Sequence, residues 1–156
     1  IVSELAEALE ADREGRRAEI DVYFDRLSVH PEGEVDFFQS HIKDTLEDEI
    51  ADVVIRVLDF CFVRGYKIDT DLARHSVKSA LYSKITDNFG HNLMCVNALI
   101  TEAFLEEKTK FCSPLLMGAT NALIGLSNQM GFDLIQHIEL KMKYNATREH
   151  KHGKKY

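Results

Sequence analysis

The sequence contains no tryptophan, only two prolines and no long uninterrupted apolar run. With proline confined to Pro31 and Pro114, long stretches remain in which a helix can form. The most apolar stretch, 57–63, is interrupted by Asp59, so no membrane-spanning helix is predicted. The three cysteines form no Cys-x-x-Cys pair and lie beside apolar residues. This pattern predicts buried thiols in a reduced, cytoplasmic protein.

Several motifs are also missing. The sequence has no Gly-x-x-x-x-Gly-Lys-Ser/Thr loop, which excludes a P-loop nucleoside triphosphatase. A ferritin-like di-iron bundle needs Glu-x-x-His pairs on core helices, and the one match, Glu149 with His152, lies in the basic C-terminal stretch. The seven histidines are scattered without cysteine spacing, which argues against zinc. A cysteine–histidine nucleophile stays open, because its partners need not be close in sequence, although no feature of the sequence supports it.

The charge is unevenly distributed along the chain. The total is −7, but residues 139–156 hold six basic residues against two acidic ones and carry +4, which leaves −11 on the remainder. So acidic a body is a poor surface for duplex nucleic acid, and we expect no stable nucleic-acid binding. A basic tail beside an acidic body suits a small anion held between a metal ion and cationic side chains.

Apolar residues recur at helical spacing, and no useful strand-like alternation is present, so we predict an all-α helical bundle. At 156 residues the chain suits one domain, 1–156, resembling a four-helix bundle with an extra helix. Residues 16–35 are predicted to be a loop insertion with at most one short turn. Predicted helix starts are Asp36, with Gln39 completing a capping box, and Pro114 after a Ser113 cap. The predicted helical segments are 1–14, 36–65, 71–84, 88–107 and 114–147, the last punctuated by Gly131.

With so few long helices, we expect the core to be completed by self-association. Phe60, Phe62, Leu93 and Phe104 are candidate interface residues, although a monomeric core would explain them equally well.

Two acidic pairs are the most informative motif. Glu4 and Glu7, and later Glu49 and Asp52, are each three residues apart within an apolar, helix-period context. Such pairs are usually solvated helix faces. Here, however, acids interrupt apolar helices, which is costly unless they are paired or bind a cation. Two such helices side by side would gather four carboxylates, and an all-oxygen set predicts Mg²⁺, with Mn²⁺ as a possible substitute.

The basic C-terminal stretch is the second motif. Lys141, Asn145 and Arg148 lie on one face of a helix, where Lys and Arg can donate charge-assisted hydrogen bonds to phosphate. A basic tail is often only a disordered solubility feature. The aromatic and glycine residues of this one favour an ordered, substrate-binding role, which adds Lys154, Lys155 and Tyr156.

These elements in this order resemble the MazG-like, all-α nucleoside triphosphate pyrophosphohydrolases. The matching patterns are Glu-x-x-Glu, Glu-x-x-Asp, Lys-x-x-x-Asn-x-x-Arg and Gly-x-Lys-Tyr, here at Glu4/Glu7, Glu49/Asp52, Lys141/Asn145/Arg148 and Gly153/Lys155/Tyr156. The resemblance covers the first two helices and about the last twenty residues. The 16–35 insertion makes the gap between the acidic pairs longer than is usual in the family.

The resemblance implies cleavage of a nucleoside triphosphate between the α and β phosphates, with magnesium held by the four acids. It also implies a homodimer or homotetramer. We expect Glu4 to act as the catalytic base and Tyr156 to close over the nucleotide. The alternative is a non-catalytic helical module, an adaptor or regulator, which would not need acids within an apolar helix or an ordered cationic tail.

Overall fold

The computed structural model describes residues 1–66, 86–109 and 111–148. In these ranges the chain is helical and has no strand, so the prediction of an all-α bundle is confirmed. The helices are α1 (Val2–Arg13), α2 (Ile20–Val29), α3 (Glu34–His41), α4 (Leu46–Val63), α5 (Phe89–Leu105), α6 (Cys112–Met130) and α7 (Leu134–Ala146), with a 3₁₀ turn at Pro31–Gly33.

The main core lies between α1, α4, α5 and α6. Buried apolar side chains at helical spacing on each helix face this core, as in an amphipathic bundle. Helix α1 packs against α4 and α5, and α5 packs against α6. Ala8 and Ala51 are fully buried and let α1 and α4 approach closely. Principal core residues are Leu5, Ala8, Ala11, Leu46, Ile50, Val53, Val54, Leu93, Val96, Ile100, Ala119, Leu123 and Leu126.

Helix α7 lies across α4 and begins after a tight turn. Gly131 ends α6 with a φ of 81°, a left-handed conformation that glycine adopts readily. Asp133 then caps α7, its carboxylate accepting hydrogen bonds from the backbone N–H groups of Ile135 and Gln136. The predicted interruption at Gly131 is therefore confirmed. The turn at Gly131 sets the direction of α7, and so determines which of its basic residues lie beside α4.

The prediction that 16–35 forms a loop is wrong. This segment contains α2 and the start of α3, which fold into a small helical unit packed against the C-terminal half of α7. Its core combines Tyr23, Phe38 and Ile42 with Leu140 and Tyr144 of α7. The rings of Phe38 and Tyr144 stack with centroids 4.4 Å apart. The insertion is thus a folded helical segment that packs beside α7.

The predicted second helix is two helices in the structure. A single helix from Asp36 to Gly65 was expected, but residues 42–45 break it into α3 and α4. Asp44 has a φ of 60°, and Thr45 caps α4 by accepting a hydrogen bond from the backbone N–H of Asp48. Asp36 lies in the first turn of α3 and forms no capping box, since Gly33 is the cap residue. The break places Glu47, Asp48 and Glu49 in the first turn of α4.

Other predictions have mixed outcomes. Helix α6 starts at Cys112, two residues before the predicted Pro114 start, and Ser113 is not its cap. Cys61 and Cys112 are buried as expected, and Cys95 is half-buried. Leu93 belongs to the core of the single chain, whereas Phe62 leaves 86% of its surface exposed. The predicted segment 71–84 lies outside the described residues. Within the described ranges, no helix has both the length and the apolar composition to cross a bilayer.

Candidate metal centre

Helices α1 and α4 together form an acidic cluster. On α1, Glu4 and Glu7 flank the buried Leu5 and Ala8 that pack toward α4. On α4, Glu49 lies directly before the buried Ile50. Glu4, Glu7 and Glu49 each offer a carboxylate oxygen, and these three oxygens lie within 4.8 Å of one another. The structure therefore brings together three of the four acids that the sequence pattern singled out.

The environment of the three acids differs. Glu49 exposes 5% of its surface, the Glu4 side chain exposes 13%, and Glu7 is exposed. The cluster thus runs from a buried acid, Glu49, to an exposed one, Glu7. Arg56 lies 3.4 Å from a Glu4 oxygen and forms an ion pair with that carboxylate. The donor set contains only carboxylate oxygens, which fits Mg²⁺ rather than a softer metal.

The protonation of Glu49 reflects this crowding. Burial, followed by the negative charge of Asp48, raises the pKa of Glu49 from 4.5 to about 8. Lys141 opposes this rise, and Glu7 and Asp52 add to it. A buried carboxyl among like charges binds a proton when no other cation is present. A divalent ion would replace that proton.

Asp52, the fourth predicted ligand, has a different neighbour. It lies outside the group of three, and its Oδ2 is 3.0 Å from the Nζ of Lys141. The Lys141 amine also donates a 2.7 Å hydrogen bond to Oδ2 of Asp48. The structure therefore places Lys141, predicted to bind substrate, in a buried ion-pair group beside the cluster.

Asp48 is a site residue that the sequence patterns did not single out. It is 1% exposed, and its Oδ2 also accepts a hydrogen bond from the backbone N–H of Asp44. Burial raises the pKa of Asp48, and the amine of Lys141 opposes that rise. Asp44, Asp48 and Glu49 form a second group of acids that shares Glu49 with the first. The sequence does contain the capping pattern Thr45-x-x-Asp48, which predicts that α4 begins at Leu46 with Asp48 in its first turn.

The insertion is bonded to the same turn of α4. Arg17 donates a 2.6 Å hydrogen bond to Oε1 of Glu47, and the backbone N–H of Ala18 donates one of 2.9 Å to Oε2. His137, 3% exposed on α7, lies near this pair, and burial lowers its pKa. The first turn of α4 is thus held by residues 17–18 through Glu47 and by α7 through Asp48. These contacts fix the position of Glu49 relative to α1.

The remaining predicted substrate residues lie toward the end of α7. Asn145 is half-buried one turn beyond Lys141, and the Arg148 guanidinium lies 5.5 Å from the centre of the Tyr144 ring. Gly153, Lys154, Lys155 and Tyr156 lie outside the described residues. The described part of the tail therefore offers one exposed guanidinium and one amide on the face that carries Lys141.

The cysteine–histidine possibility has one structural counterpart. The Sγ of Cys95 is 3.7 Å from Nε2 of His91, one turn earlier on α5. Among the residues that the structure describes, no third side chain orients the His91 ring, as a nucleophile–base pair needs.

Comparison with known proteins gives no relative: the chain matches no family model, no curated protein and no solved structure. The resemblance to the MazG-like enzymes therefore stays a prediction based on the motifs.

Proposed function

We propose that this protein is a Mg²⁺-dependent nucleoside triphosphate pyrophosphohydrolase, which cleaves its substrate between the α and β phosphates and serves to clean the nucleotide pool. The observation that carries the proposal is the convergence of Glu4, Glu7 and Glu49 from two helices within 4.8 Å. Three carboxylates this close repel one another, and burial of Glu49 increases that cost. A divalent cation removes both penalties.

Two regions of the chain have separate proposed roles: the acidic cluster binds the cation, and the basic end of α7 binds phosphate. Glu4, Glu7 and Glu49, with Asp52 beside them, would hold the cation. When bound, the cation neutralises phosphate charge and polarises the reacting phosphoryl group. Glu4 is the proposed base, because its side chain is partly solvated and its ion pair is with Arg56, which is itself half exposed. Its side chain can therefore reach a water molecule on the open side of the cluster.

The basic end of α7 supplies the anion-binding part. Asn145 and Arg148 follow Lys141 at spacings of four and seven residues and share its helix face. A planar guanidinium donates paired hydrogen bonds to phosphate oxygens, which suits Arg148 for the leaving pyrophosphate. Lys154, Lys155 and Tyr156 are proposed to act with it.

The test is product analysis with a panel of normal and modified nucleoside triphosphates, with Mg²⁺ or with EDTA. We expect equal amounts of monophosphate and pyrophosphate, formed only with Mg²⁺. Glu49→Gln should abolish most turnover, while Glu10→Gln, an exposed acid on α1, should not. Orthophosphate as the product would contradict the proposed bond cleavage. No turnover across the panel would favour the non-catalytic module.

A further inference from the structure

Lys141 is enclosed by acids rather than open to a substrate. Its side chain exposes 6%, and its Nζ lies 2.7 Å from Asp48 and 3.0 Å from Asp52. The Asp48 side chain exposes only 1%, and that of Asp52 exposes 17%. The amine thus joins a deeply buried carboxylate to one at the edge of the acidic cluster.

This arrangement fixes one oxygen of Asp52. The ion pair uses Oδ2, and among the described residues Oδ1 has no hydrogen-bond partner. Asp48 in turn is held by the backbone N–H of Asp44, so the amine has a rigid anchor. Hydrogen bonds that orient a ligating carboxylate are a common requirement of metal sites.

Stability alone does not account for the group. A buried ion pair is often no more stabilising than apolar residues of the same volume. Here, in addition, Oδ1 of Asp48 is buried without a hydrogen-bond partner in the described part of the chain, which is unfavourable. A group that costs stability beside a candidate site points to a role at that site.

We propose that Lys141 is a positioning residue, anchored by Asp48, that orients Asp52 toward the cation bound by Glu4, Glu7 and Glu49. This inference rests on the proposed function and changes the expected role of Lys141 from substrate binding to metal-site organisation. Asp48 becomes part of the site although it binds neither cation nor substrate.

The test is the double variant Asp48→Asn/Lys141→Met. It removes one negative and one positive charge together, so the local net charge is unchanged and Asp48 is not left as a buried charge without its cation. The two removed charges also act on Glu49 in opposite directions. The variant removes the contact between the Lys141 amine and Oδ2 of Asp52. Lys143→Met is the matched control, because Lys143 is an exposed lysine on the same helix.

Two readouts are needed. The first is Mn²⁺ binding without nucleotide, followed by electron paramagnetic resonance of free Mn²⁺. The second is steady-state kinetics with nucleoside triphosphate at saturating Mg²⁺. For the double variant we expect Mn²⁺ affinity and kcat to fall about 10–100-fold, with KM changed by no more than about twofold. Lys143→Met should match the wild type in both.

The outcomes separate the two proposals. A raised KM with unchanged Mn²⁺ affinity would show that Lys141 binds substrate, and would overturn this inference alone. Wild-type Mn²⁺ affinity and kcat in the folded double variant would do the same. If the wild-type protein binds Mn²⁺ but hydrolyses no triphosphate, the Mn²⁺ measurement still tests the positioning role. A wild-type protein that binds no Mn²⁺ would overturn both proposals.

Discussion

Replacing Glu49 by glutamine is expected to change how the stability of the metal-free protein depends on pH. In the folded protein the pKa of Glu49 is raised from 4.5 to about 8, by burial first and by Asp48 second. Between these values the folded state keeps a proton that the unfolded chain has released. The free energy of unfolding must therefore fall as the pH rises from about 4.5 to 8, and level off above that.

The size of this fall follows from the pKa difference. Each pKa unit corresponds to about 1.36 kcal/mol, so the full shift of Glu49 amounts to on the order of 5 kcal/mol. Glutamine cannot ionise, so the Glu49→Gln variant should lack this contribution. At pH 8 without metal it should therefore be more stable than the wild type. In the wild type, Mg²⁺ should restore stability at that pH because it binds the ionised carboxylate.

Urea unfolding followed by circular dichroism, from pH 5 to 9 in EDTA and again in Mg²⁺, measures these differences. Glu10→Gln is the control, since it removes an exposed acid from α1 and should keep the wild-type pH dependence. Parallel pH profiles for the wild type and Glu49→Gln would refute the reasoning. An equal response of both proteins to Mg²⁺ would refute the role of Glu49 as a ligand.

Three further predictions concern other parts of the structure. Lys141→Met alone leaves Asp48 buried without its cation and should lower the free energy of unfolding by about 3–5 kcal/mol in urea; wild-type stability would contradict the buried ion pair. Phe38→Ala removes the ring stacked on Tyr144 and should lower the free energy of unfolding by about 3–5 kcal/mol. Phe24 is 40% exposed, so Phe24→Ala should lower it much less. Similar losses for both variants would argue against a packed insertion. Arg148→Ala should raise KM for nucleoside triphosphate without lowering kcat, with the exposed Arg13→Ala as control; an unchanged KM would remove Arg148 from the substrate site.

The fold class could be predicted because helical periodicity is local. On α5, the predicted apolar face contains Leu93, Val96 and Ile100, and all three are buried. Helix α2 inside the 16–35 insertion was not predicted, although Ile20, Tyr23, Phe24 and Leu27 follow helical spacing, because Pro31 and Gly33 indicate a loop. The break before α4 was missed because apolar periodicity continues across it. The positive φ of Asp44 interrupts the helix without interrupting the pattern.

The site was only partly accessible from sequence for a related reason. Glu4, Glu7 and Glu49 could be found because acids within an apolar helix stand out locally. Asp48 could not, since acids are common in the first turn of a helix and its partner Lys141 lies 93 residues away in sequence. Likewise, Lys141 resembles any other basic residue of the tail until the packing of α7 on α4 places its amine between two carboxylates.

Helices α1 and α4 are proposed to bind a divalent cation jointly. Anomalous diffraction from crystals of the full chain grown with Mn²⁺ tests it most directly. We expect a Mn²⁺ peak about 2–2.3 Å from carboxylate oxygens of Glu4, Glu7 and Glu49. A crystal of the folded protein that shows Mn²⁺ elsewhere, or nowhere, with these three carboxylates unligated would contradict it.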